Sequence, residues 1–285
     1  MTIDALTAAG EAPAPNHALS HRRLPDDPRV QFLVSRPPTT RRGQPVFVTV
    51  HGISRNAGEH AELFAPYAEA AGATLVAPIF DEGTFGKYQR LAPRGPGVLR
   101  SDDALLRILD HLARTEGLEA GRVSLFGFSG GGQFVHRFAM LHPDRVMSTV
   151  VGAAGWYTMP DPDVAYPYGI GQAAGLPPLR FDPGRFLRNP FHVVVGERDL
   201  SRDWALNKSE RLDVQQGPTR VERGRRWIEA MKAAAVDASV DGARLTFELL
   251  PGARHSFARA MTRRGLGDSV FGALGLAQAG ARQTA

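Results

Sequence analysis

Short apolar runs rich in β-branched residues recur along this chain with helix-period stretches between them. That alternation is the strongest constraint on what the chain can fold into. The runs fall at residues 30–34, 45–51, 73–79, 123–126, 146–151, 191–195 and 245–250. Helical patterns are read at residues 61–72, 101–116, 131–142 and 223–236, with one more near the C-terminus. Runs that are apolar at consecutive positions suit strands covered on both faces, and strands separated by helices give a mostly parallel sheet with helices on either side. Ligands bind such sheets beyond the carboxyl ends of the strands, so the loops that follow each strand are where chemistry is sought.

A chain of 285 residues with 43% hydrophobic content can bury one large core without disulfides or metals. Residues 1–28, broken by Pro13, Pro15, Pro25 and Pro28, read as a flexible N-terminal arm, and residues 29–285 as one α/β domain. Residues 156–190 interrupt the alternation with seven prolines and several aromatics, which suggests a small irregular lid insertion.

Several function classes drop out on composition. The net charge of +5 comes from 34 Lys and Arg against 29 Asp and Glu, with the arginines scattered, so no nucleic-acid partner is expected. The Arg-rich stretch 220–226 opens a helix and reads as a source of ion pairs. With no cysteine there is no thiol nucleophile, disulfide or thiolate metal site. No apolar window is long enough to span a bilayer and the first residues do not resemble a signal peptide, so no membrane role and a cytoplasmic location are expected. No metal is expected, because no His-Glu-x-x-His pattern occurs. The glycines of residues 169–175 have the wrong spacing for a dinucleotide loop, and no cofactor is expected.

Gly127, Phe128, Ser129, Gly130 and Gly131 match the G-x-S-x-G nucleophile elbow, directly after an apolar run and before a helical one. A strand that turns into a helix within a few residues crowds its neighbours, so glycines flank the serine and its hydroxyl is lifted clear. A serine hydroxyl needs a base to take its proton. Of nine histidines, His255 alone sits in a Pro/Gly loop immediately after a strand; His17 and His21 lie in the arm, His111 and His136 within helices, and His192 within a strand. The acid that orients the imidazole is sought after an earlier strand, where Glu197 and Asp199 both stand, and Asp161 or Asp163 follows the strand before.

The elbow, together with the helix exit His142, Pro143, Asp144, Arg145 and Val146, resembles the α/β-hydrolase superfamily over most of the chain. Within it the chain is similar to the polyhydroxyalkanoate-depolymerase and feruloyl-esterase-like branch. The resemblance implies the α/β-hydrolase fold and a serine hydrolase that cleaves carboxylic esters through an acyl-enzyme intermediate. It selects Asp199 as the acid beside Ser129 and His255, by its place after the penultimate strand and by the chain order Ser, Asp, His. It also implies that His51, Gly52 and Ile53 form the oxyanion strand, with the N–H groups of Ile53 and Gly130 as donors and His51 as a structural residue. The expected partner is a small-molecule or oligomeric ester, and the oligomeric state is open. Trp156 and Tyr157 are expected to line the substrate pocket, with Phe85 and Tyr88 as its opposite wall. The same triad serves a peptidase, amidase or thioesterase, and the same fold can serve as a non-catalytic scaffold that binds a ligand or partner.

Overall fold

The five apolar runs at the centre of the sequence become strands because each is covered on both faces. β3 (Val46–Val50), β4 (Thr74–Ile79), β5 (Val123–Phe128), β6 (Val146–Gly152) and β7 (Phe191–Gly196) are almost entirely buried. The computed structural model describes residues 18–39, 43–91, 97–174 and 179–276. With β1 (Ser20–Arg23), β2 (Gln31–Ser35) and β8 (Leu245–Leu250) the strands form one eight-stranded sheet in the order β1-β2-β4-β3-β5-β6-β7-β8. β1, β2 and β4 pair antiparallel, and every pairing from β4 to β8 is parallel.

Among the described residues eight α-helices accompany the sheet: α1 (Ala57–Ala70), α2 (Ser101–Glu116), α3 (Gly130–Leu141), α4 (Pro183–Phe186), α5 (Glu210–Gln216), α6 (Arg220–Asp237), α7 (Phe257–Arg264) and α8 (Leu266–Ala273). α3 packs against β5 and β6, and α1 against β4. Among the described residues no helix is long and apolar enough to cross a membrane.

Several boundaries differ from the sequence reading, among them the start of α1 at Ala57 rather than at residue 61. Ser20–Arg23 pairs with β2 as an edge strand, so the sheet begins inside the stretch expected to be an arm; residues 1–17 lie outside the described residues. Its polar Ser-His-Arg-Arg sequence carries no apolar signal, since an edge strand needs backbone partners more than buried side chains. α6 starts at Arg220, three residues early, because Thr219 caps it: the Thr219 side chain accepts from the Glu222 N–H and the Thr219 hydroxyl donates to the Glu222 carboxylate. The expected single C-terminal helix is two, divided at Gly265, whose φ of 71° ends α7.

The register fixes where the site lies. Val50 of β3 pairs with Gly127 of β5, Gly127 with Val151, Gly152 with Val194, and Gly196 of β7 with Leu250 of β8. The carboxyl ends of β3, β5, β7 and β8 therefore come level at one edge, and the loops holding Ile53, Ser129, Asp199 and His255 leave from it.

Candidate active site

At the end of β5 the chain reverses into α3 through Ser129, whose φ of 56° and ψ of −111° lie in a region that non-glycine residues seldom occupy. The turn is held by the Ser129 N–H donating to the Gly152 carbonyl at 2.8 Å and by the Gln133 N–H donating to the Ser129 carbonyl at 3.1 Å. It also requires close backbone approach: a Cβ on Gly127 would lie 2.2 Å from the Gly131 carbonyl oxygen, and one on Gly131 would lie 2.0 Å from that of Val50. Both sites exclude any side chain.

The structure brings Ser129, His255 and Asp199 together from three loops. Ser129 Oγ lies 3.0 Å from His255 Nε2, and His255 Nδ1 lies 2.7 Å from Asp199 Oδ2. Asp199 is 1% exposed. Its other oxygen, Oδ1, accepts from Arg220 Nη1 at 3.1 Å, and Arg220 forks onto Asp203 at 3.0 and 3.1 Å. Two buried hydrogen bonds thus leave the carboxylate little freedom to rotate away from the imidazole. Glu197, by contrast, is exposed and accepts from the Gly252 N–H at 2.8 Å, bracing the loop that carries His255 rather than reaching its ring. Asp161 and Asp163 bond within their own segment.

The backbones of Gly130 and Ile53 approach one another next to Ser129. As the first residue of α3, Gly130 has no intrahelical partner for its N–H. A Cβ on Gly130 would lie 3.1 Å from the Ile53 nitrogen, so the two residues are neighbours. The loop that carries Ile53 is fixed by His51, which is buried and lies 2.8 Å through Nδ1 from the Gly52 carbonyl, while Nε2 accepts from the Phe80 N–H at 3.1 Å. Both contacts are made if the ring is neutral with its proton on Nδ1. Burial lowers the His51 pKa to about 4, outweighing the backbone hydrogen bonds that oppose it. The Tyr88 hydroxyl donates to the His51 carbonyl at 2.6 Å and closes the loop from beneath.

The expected pocket lining is a correction. Phe85, Tyr88, Trp156 and Tyr157 are all buried and none borders the cavity at Ser129. Phe80 packs edge-on to Phe85 and stacks on Tyr88, the Arg137 guanidinium lies 4.2 Å from the Trp156 ring centre, and Tyr157 stacks on Trp227. Described residues of the 156–190 segment are tied down over α3: the Thr158 N–H donates to His136 Nε2 at 3.0 Å, the Thr158 hydroxyl to the Pro167 carbonyl at 2.7 Å, and Arg137 Nε to Thr158 Oγ1 at 2.9 Å. No described residue of this segment borders the cavity, which departs from the lid reading; residues 175–178 lie outside the described residues.

The cavity opens on the other side of Ser129. It measures about 340 Å³ and is walled by Ile53, Phe128, Trp204 and Phe257, with Ser129 and His255 on one flank and Asn56, Glu59 and His60 on another. Sequence reasoning missed Arg220, Asp203 and Trp204. For the first, the Arg-rich stretch was read as ion pairs without a partner; it supplies Arg220 to Asp199 and Asp203 and Arg223 to Asp213. For Trp204, the signal available was one large aromatic in the loop directly after Asp199.

No protein-family model matches the chain, and no curated protein matches it by sequence. Solved structures do match. LpqC, a poly(3-hydroxybutyrate) depolymerase from Bordetella parapertussis, is similar at 26% identity over 81% of this chain and 80% of its own, with a TM-score of 0.67. Poly(aspartic acid) hydrolase-1 from Sphingomonas sp. KT-1 aligns at 24% identity over 86% of this chain and 92% of its own, with a TM-score of 0.71. The carboxylesterase EstE1, cloned from a metagenomic library, aligns at 17% identity over 95% and 92% of the two chains, with a TM-score of 0.58. With its mostly parallel eight-stranded sheet and these neighbours, the chain has the α/β-hydrolase fold.

Proposed function

We propose that the protein is a serine hydrolase that cleaves carboxylic esters through an acyl-enzyme intermediate. The observation that carries this reading is the continuous chain from Ser129 Oγ through His255 to Asp199, with Ser129 raised on a strained elbow. Ser129 Oγ attacks the ester carbonyl carbon while His255 Nε2 takes the hydroxyl proton, and Asp199 stabilises the resulting imidazolium without itself taking up the proton. The carbonyl oxygen becomes an oxyanion held by the N–H groups of Ile53 and Gly130; one such donor is typically worth about 3 kcal/mol in the transition state. Collapse breaks the bond to the alcohol oxygen, which leaves with the proton from His255. Water, deprotonated by His255, then attacks the Ser129 ester, and the carboxylic acid departs as Ser129 regains its proton.

The similarity to a depolymerase of poly(3-hydroxybutyrate), a polyester, supports an ester as the bond cleaved, and the likeness to a poly(aspartic acid) hydrolase keeps an amide as the alternative. A fluorophosphonate probe, which reacts with activated serines, tests the reading and separates it from a non-catalytic scaffold. Mass spectrometry should place the label on Ser129, and the labelled protein should lose turnover of p-nitrophenyl butyrate. Folded wild-type protein that neither labels nor turns over esters would sink the proposal.

A further inference from the structure

The three tryptophans stand in opposite surroundings. Trp156 and Trp227 are buried, whereas Trp204 is 87% exposed although it borders the same cavity as Ser129 and His255. Its backbone is nevertheless fixed. Asp203 Oδ1 accepts from the N–H groups of Ala205 and Leu206, each at 3.0 Å, and Leu206 is buried. Arg220, itself buried, fastens Asp203 to Asp199. The indole is thus presented to water from a segment anchored to the acid that orients His255. Covering such a ring takes a large apolar surface out of water, and the other apolar walls, Ile53, Phe128 and Phe257, face the same space.

We propose that Trp204 is a specificity-determining residue, which stacks on an apolar or aromatic, uncharged part of the ester that extends outward from the carbonyl held at Ser129. This rests on the reading of Ser129 as the nucleophile. An anion does not fit, because Glu59 borders the same cavity and repels it and no Lys or Arg stands among the described lining residues. A rigid indole also loses little conformational entropy on contact, so its burial adds to binding almost in full.

The test has a binding arm and a kinetic arm. In the binding arm Ser129→Ala protein, which cannot form an acyl-enzyme, is titrated with phenethyl butyrate while tryptophan emission is recorded. The long-wavelength emission of the exposed indole should shift to shorter wavelength and saturate, and the double variant Ser129→Ala/Trp204→Phe should lack that component. In the kinetic arm, Trp204→Ala should lower the ratio of kcat/KM for phenethyl butyrate over methyl butyrate about tenfold, and Trp204→Phe should restore most of it. Equal losses on both esters, or an emission that does not respond in a protein whose wild type hydrolyses phenethyl butyrate, would overturn the proposal. So would a wild-type dimer that Trp204→Ala splits into monomers in sedimentation, since the ring would then be covered by a second copy. Saturable emission change without any wild-type turnover would keep Trp204 as a binding residue and remove the hydrolase reading instead.

Discussion

The two flanks of Ser129 are both aromatic, yet one is solid and the other hollow. On the first, Phe80 packs on Phe85 and Tyr88, Arg137 covers Trp156 and Tyr157 stacks on Trp227, and Tyr88 and His51 spend their polar atoms on holding the Ile53 loop. On the second, Ile53, Phe128, Trp204 and Phe257 leave about 340 Å³ uncovered, and Ile53 and Trp204 remain 38% and 87% exposed. Aromatic rings near a reactive loop therefore carry two separate jobs. The solid flank fixes the Ile53 loop; the hollow one leaves open space beside Ser129.

The triad is where the flanks meet, and the largest expected effect lies there. Asp199→Asn should lower kcat for p-nitrophenyl butyrate about 10⁴-fold, because an amide no longer selects the imidazole tautomer that accepts from Ser129. Glu197→Gln should stay within about threefold of wild type, since its oxygen bonds the Gly252 N–H and an amide oxygen can do the same. Reversal of these two results would move the acid to Glu197 and uncouple the Arg220 bridge from catalysis.

Stability separates the flanks next. Trp156→Ala should cost about 3–5 kcal/mol in urea unfolding, as expected for emptying a packed aromatic site, whereas Trp204→Ala should fall within about 0.5 kcal/mol, as for an exposed residue. Comparable losses at the two positions would show that Trp204 is packed in solution and erase the contrast.

The sheet and the turn at Ser129 were legible because their signals are local. Unbroken apolar runs mark strands buried on both faces, and the glycines around Ser129 are demanded by backbone contacts as close as 2.0 Å. His255 was legible by its loop, and Asp199 only by its chain order, with Glu197 two residues away. The pocket was not legible. Sequence places Trp156 and Tyr157 just after β6 and Tyr88 after β4, but which side of a strand end is filled depends on long-range packing, here by Arg137 from α3 and Trp227 from α6. Arg220 was hidden for the same reason, since an ion pair across 21 residues leaves no periodic trace.

Acid exposes the solid flank through its histidines. His136 repeats the arrangement at His51: Nδ1 lies 2.8 Å from the Gly132 carbonyl and Nε2 accepts from the Thr158 N–H, so each ring pins a loop only while neutral. Burial holds His136 well below the ordinary histidine value, as it holds His51 at about 4 against 6.5. Between pH 6.5 and 4 the unfolded chain carries these protons and the native protein does not, so stability falls as the pH drops through that window. His51 alone contributes a loss of roughly 3 kcal/mol by pH 4. Urea unfolding between pH 7 and 4.5 should therefore show a decline that is shallower by one proton in His51→Gln, which has no ring to protonate. An unchanged slope in that variant would mean that the solid flank already admits a charged His51, and with it a looser Ile53 donor than the packing implies.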